Sequence, residues 1–124
     1  MNKLTHLGAR VLLALIFVLA GAGKIAHFSD TQAYMSSVGV PGMLLPLVIL
    51  LELGGGLALI VGFKTKWVAS ALALFCVVSA AIFHHNFADQ VQMIMFLKNL
   101  AITGGLLLLV QHGASAPSLD TRGK

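Results

Sequence analysis

The chain has 124 residues, 58% of them hydrophobic and only 10% charged, and its eight basic and four acidic side chains leave a net charge of +4. An ordinary soluble domain carries roughly 25% charged residues, so this composition cannot cover a water-facing surface and excludes a soluble globular protein. The basic residues flank or interrupt apolar runs instead of clustering with aromatics, which excludes a nucleic-acid-binding face and makes membrane lipid the principal partner.

A membrane crossing takes roughly 20 apolar residues, so four helices fit and leave about 44 residues for tails and connections. The expectation is one all-α membrane domain over residues 1–110, an antiparallel bundle of four transmembrane helices, followed by a polar, disordered cytoplasmic tail at 111–124. The lone Cys76 excludes an intramolecular disulfide, a CxxC redox pair and a cysteine-based zinc site.

The first apolar run covers residues 4–26. Its basic start and small residues near the end imitate a secretory signal peptide, but three further spans follow, so it reads as a retained first helix. Residues 27–42 are the longest polar stretch before the tail. Ser29 or Asp30 could cap a short interfacial helix there, Tyr34 suits the headgroup level, and Gly39, Pro41 and Gly42 end it. The second span covers 43–63, with Pro46 tolerated in its first turn. A basic turn of Lys64, Thr65 and Lys66 leads to the third span at 67–83. His84, His85, Asn86, Asp89 and Gln90 belong to the next connection, and the fourth span covers 91–110.

With four spans, both termini and the middle turn share one side. Lys3, Lys64, Lys66, Arg122 and Lys124 lie on that side, and only Lys24 lies on the other, so both termini are expected to be cytoplasmic. Gly54, Ala58 and Gly62 recur every four residues on the second span, as do Ala69 and Ala73 on the third. Such positions let helix backbones approach closely in lipid.

Ionisable groups inside a span cost about 2.5 to 3.5 kcal/mol each, so they normally face the bundle interior and find partners. Glu52 lies roughly 13 Å, and Lys98 roughly 10 Å, from the outer ends of their spans at 1.5 Å per residue. Their similar depth predicts a Glu52–Lys98 pair with Asn99 beside it. Either the pair fixes helix register, or it marks a polar pocket open to the outer leaflet that binds a ligand or relays protons. Lys24 is near the same level, whereas Arg10 is too far inward and is expected to snorkel to the interface. His27, His84 and His85 fall at outer helix ends, where they read first as plain interfacial polar residues and second as imidazoles that could hydrogen-bond a quinone-like head group; adjacent His84 and His85 point about 100° apart, which disfavours a haem or metal centre. There is no GxSxG, Walker, HExxH or deaminase-type zinc motif.

The run from Arg10 to Ala20-Gly21-x-x-Lys24, Glu52-Leu-Gly-Gly-Gly-Leu ending at Gly62, Phe83-His84, and Phe96-Leu-Lys-Asn-Leu with Gly104-Gly105 together resemble the DoxX family over residues 8–110. That resemblance implies a four-helix bacterial inner-membrane protein in which Lys24, Glu52, Lys98 and Asn99 are recurrent polar positions. The family is named for a subunit of an archaeal terminal quinol oxidase, also described as a thiosulfate:quinone oxidoreductase. The resulting expectation is an oxidoreductase accessory subunit, at most part of a quinone-linked enzyme. Its pocket of Lys24, Glu52, His84, Lys98 and Asn99 would bind a quinone, and its partners would be lipid, another copy of the chain or a redox subunit. The alternative is a non-catalytic assembly subunit packing through the small-residue seams.

Overall fold

The computed structural model describes residues 3–83, 88–114 and 118–121, and every regular element among them is helical. Helix α1 is Lys3–Ala26, α2 is Phe28–Ser37, α3 is Gly42–Val61, α4 is Thr65–Phe83 and α5 is Gln90–His112. Four of these, α1, α3, α4 and α5, are long and apolar enough to cross a membrane.

The helix boundaries follow from local chemistry. Only His27 separates α1 from α2, and Thr31 N donates back to His27 O at 2.9 Å, so Ser29 and Asp30 lie within the first turn of α2 and neither caps it. Asp30 still suits that turn, because the free N–H groups there carry partial positive charge. Gly39, at φ +83°, takes the chain out of α2 as the Gly/Pro cluster predicts. Pro46 sits in the opening turn of the α-helical part of α3, where its missing N–H leaves no bond unmade. Asp89 starts α5 by accepting a hydrogen bond from Val91 N at 2.9 Å.

Helix α3 is not uniform. It opens as a 3-10 turn at Gly42–Leu44, continues as α-helix at Leu45–Ile49, widens to a π-turn at Leu50–Gly54 and returns to α-helix at Gly55–Val61. A π-turn accommodates an extra residue and rotates everything beyond it, and such turns recur at functional sites. Glu52 lies inside it.

The core contains small residues where helices cross and larger ones between them: Ala14, Phe17, Leu59, Ala69, Leu72, Ala73, Cys76, Leu106 and Leu109. Large side chains such as Leu12, Leu50 and Leu74 point outward, since lipid tails are as apolar as leucine and give no reason to bury it. The closest backbone approach of α1 to α3 falls at Gly21 and Gly56, outside the four-residue series, of which Gly62 abuts the Arg10 side chain. A Cβ at Gly56 would lie 2.8 Å from Val18 Cγ2 and 3.1 Å from Ala14 O, and one at Gly21 would lie 3.0 Å from Leu53 Cβ. Gly54, by contrast, is exposed, and a Cβ there would meet only Leu50 of its own helix, at 3.9 Å. The face of the helix turned to α1 at this level carries Gly56, two residues from Gly54 and so roughly 200° around the axis from it.

Residues 118–121 of the polar tail are hydrogen-bonded to the turn between α3 and α4. Leu119 N and Asp120 N donate to Val61 O and Gly62 O, both at 2.8 Å, while Asp120 accepts from Lys64 N at 2.6 Å and Thr65 N at 2.8 Å. Carbonyls at the end of α3 and N–H groups at the start of α4, which no helix bond can satisfy, thus find partners in residues 118–121. Polar composition alone reads this stretch as disordered. Arg10, expected to snorkel, is instead fully buried near Gly62, where Asp120 acts on it electrostatically.

Candidate functional site

Gly21 and Leu53 fix how α1 meets α3. Lys24 is three residues beyond Gly21, on the same face of α1, and Glu52 precedes Leu53 in the π-turn. The contact therefore brings Lys24 Nζ to 2.6 Å from Glu52 Oε1. By distance this is an ion pair. The two sides of the pair differ in burial: the Glu52 side chain is 5% accessible and that of Lys24 29%. Lys24 also occupies the last turn of α1, where the helix end favours a cation.

This structure replaces the expected Glu52–Lys98 pair. Lys98 is exposed on α5 and does not line the cavity described next. Depth along the spans put Glu52 and Lys98 at one level, but neighbouring residues on a helix point about 100° apart. Asn99 faces inward, so Lys98 cannot.

The ion pair forms part of the wall of a cavity of about 450 Å³ reached by residues of all five helices. Ile16, Phe17, Val48 and Ile102 contribute to a mainly apolar lining, into which Lys24, Glu52 and Asn99 bring charge and an amide. Helix α2 contributes Thr31 and Tyr34, and the Tyr34 ring stacks on Phe83 of α4 with centroids 5.5 Å apart and an interplanar angle of 28°. The interfacial helix is thereby packed against the cavity wall. Ser79 and Cys76 of α4 also line it.

Of the residues expected at the site, Lys24, Glu52 and Asn99 share this cavity, Lys98 does not, and His84 lies outside the described residues. Thr31, Ser79 and Cys76 carry no motif that sequence reasoning could detect. The unusual signal was a glutamate followed by three glycines, Gly54, Gly55 and Gly56, which coincides with the π-turn and the close approach of α1. Among the described residues, no group of three or more His, Cys, Asp or Glu side chains could hold a metal ion.

A bundle with four membrane-length helices and a charged pair in an apolar cavity defines a polytopic helical membrane protein with a built internal site. The chain belongs to the DoxX family, whose profile matches residues 5–85. It is 50% identical over 123 residues to inner membrane protein YqjF of Escherichia coli K12, covering 97% of this chain and 95% of that protein. It is 34% identical over 122 residues to inner membrane protein YphA of the same organism, covering 92% of this chain and 86% of that one. No solved structure matches it significantly. Together with the four spans, these relatives make it a multi-pass protein of the bacterial inner membrane.

Proposed function

We propose that this protein is an accessory subunit of a quinone-linked membrane oxidoreductase and that the cavity holding Lys24 and Glu52 binds a quinone-like amphiphile. The observation that carries the reading is the Lys24–Glu52 pair, 2.6 Å apart, in the wall of an apolar cavity of about 450 Å³. Ligand sites combine mostly apolar walls with a few convergent polar groups, and a quinone needs both: apolar contact for ring and chain, and donors for two carbonyl oxygens. Lys24 and the Asn99 amide supply the donors, and Glu52 sets local charge and relays a proton. His84, which follows the cavity-lining Phe83 in sequence, belongs to the proposed set; Lys98 does not. A redox partner subunit would supply the electrons, the chain's single cysteine forming no thiol pair of its own.

The bundle is proposed to be antiparallel with both termini in the cytoplasm. The lysines and arginines at the termini and in the middle turn support that orientation. A C-terminal fluorescent-protein fusion that fluoresces, with an alkaline phosphatase fusion that stays inactive, is the expected result.

To test the ligand, the protein is purified in mild detergent and coeluting quinone is measured by mass spectrometry. Wild type is expected to retain quinone and Lys24→Met to lose it. Protein that is quinone-free and insensitive to added quinone rejects the reading.

One observation favours the alternative of an assembly subunit. Lys98 is exposed in the middle of a span, where an unshielded charge costs about 2.5 to 3.5 kcal/mol, and contact with a second protein would relieve that cost. Subunit counting on the same preparation tests it, and a monomer in every detergent and in lipid discs counts against it.

A further inference from the structure

A second cavity, of about 770 Å³, lies between α1 and α5 away from the Lys24–Glu52 site, and the proposed quinone chemistry makes no use of it. Its polar end is formed by His6, close to the start of α1, and His112, the last residue of α5. Both therefore lie where a membrane helix meets the headgroup layer. From His6 the wall continues inward to Leu13, seven residues or roughly 10 Å along the helix axis. Leu108, Leu109 and Gly105 follow the same course down α5 from His112. A Cβ added at Gly105 would touch Leu13 Cδ2 at 3.1 Å, which shows where the two helices close together.

His6 is 8% exposed, and its Nε2 is buried with no hydrogen-bond partner. A buried polar atom left without a partner is costly and normally signals a missing ligand, ion or water. The surroundings are electropositive. Arg10 and His112 both act on His6, and the Lys66 side chain passes over Gly113, whose added Cβ would lie 3.2 Å from Lys66 Cε. The nearby carboxylate, Asp120, accepts the Lys64 and Thr65 N–H groups and offsets part of the Arg10 charge, leaving Lys66 and the two imidazoles at the mouth.

A polar, electropositive mouth at headgroup level with an apolar channel leading inward is complementary to one kind of molecule. We propose that this cavity binds an acidic amphiphile, its carboxylate or phosphate head against His6 and His112 and its chain along Leu13, Leu108 and Leu109. The shared chemistry is an anionic head on an acyl chain, whether from a free fatty acid or from a phospholipid.

The full-length protein in maltoside detergent is titrated with oleate, phosphatidylglycerol or neutral monoolein and examined by native mass spectrometry. One saturable copy of an acidic amphiphile is expected, with monoolein binding at least roughly tenfold more weakly, as befits loss of a hydrogen bond to a charged group. His6→Ala is expected to weaken binding by a similar factor. Ala9→Trp, at an exposed position on the cavity wall, is expected to abolish it without disturbing the core. If His6→Ala loses its helicity or monodispersity, His6→Gln and Ala9→Trp carry the test. Binding of oleate alone identifies a fatty acid, and of phosphatidylglycerol alone a membrane phospholipid; either supports the proposal. Equal binding of monoolein, or acidic lipid bound undiminished by folded His6→Gln and Ala9→Trp variants, overturns it.

Discussion

Removing Lys24 and removing Glu52 should have very different consequences. Glu52 is 5% accessible and Lys24 29%, so Lys24→Met leaves a carboxylate in the bundle with its cation gone, whereas Glu52→Gln leaves an ammonium that can swing toward the headgroup layer at the end of α1. Breaking a buried pair from the side that strands a charge costs about 3–5 kcal/mol, while replacing both partners with uncharged groups of similar size is often neutral. Lys24→Met is therefore expected to destabilise by about 3 kcal/mol or more, and Glu52→Gln by about 1 kcal/mol, the ordinary net worth of a polar contact. The double variant should recover most of the loss, remaining about 1 kcal/mol less stable than wild type, which is a coupling of about 3 kcal/mol. Reversible unfolding of all four proteins in mixed micelles, followed by circular dichroism, measures the cycle. The reasoning would be refuted by a Lys24→Met variant as stable as Glu52→Gln, or by a double variant no better than Lys24→Met alone.

The same assay reads three further expectations. Gly56→Ala should destabilise by about 1–3 kcal/mol, because its Cβ would lie 2.8 Å from Val18 Cγ2 and 3.1 Å from the Ala14 carbonyl, whereas Gly54→Ala makes only an ordinary contact with Leu50 of its own helix and should be neutral or stabilising. Asp120→Ala removes the acceptor for Lys64 N and Thr65 N and should cost about 0.5–2 kcal/mol, the range for a lost helix cap; a chain ending at residue 117 should lose at least as much. Lys98→Met should leave the isolated protein as stable or more stable, since Lys98 is exposed on a membrane helix; strong destabilisation would mean that Lys98 has a partner within the bundle.

Membrane residence, four spans and their approximate ends could be read from the chain, because each depends only on how many consecutive residues are apolar and where charges, glycines and prolines interrupt them. The level of each ionisable group was legible for the same reason: rise per residue converts sequence position into depth. That sufficed to select Lys24, Glu52 and Asn99, which share the cavity. Direction around each helix axis was not legible. Lys98 and Asn99 have nearly the same depth and face different ways, so Glu52 is paired by Lys24 instead of Lys98. The rotation is set by where Gly21 and Gly56 let α1 and α3 touch, and by a π-turn at Leu50–Gly54 that interrupts the straight-helix period. The tail differs for a related reason: its polar residues look unstructured alone, and only the unsatisfied helix ends around Gly62 give Asp120 and its neighbours something to bind. Sequence by itself determined the solvent and the depth of each charge, which depend on position along one chain. Tertiary structure alone decided which charges meet, because that depends on contacts between helices.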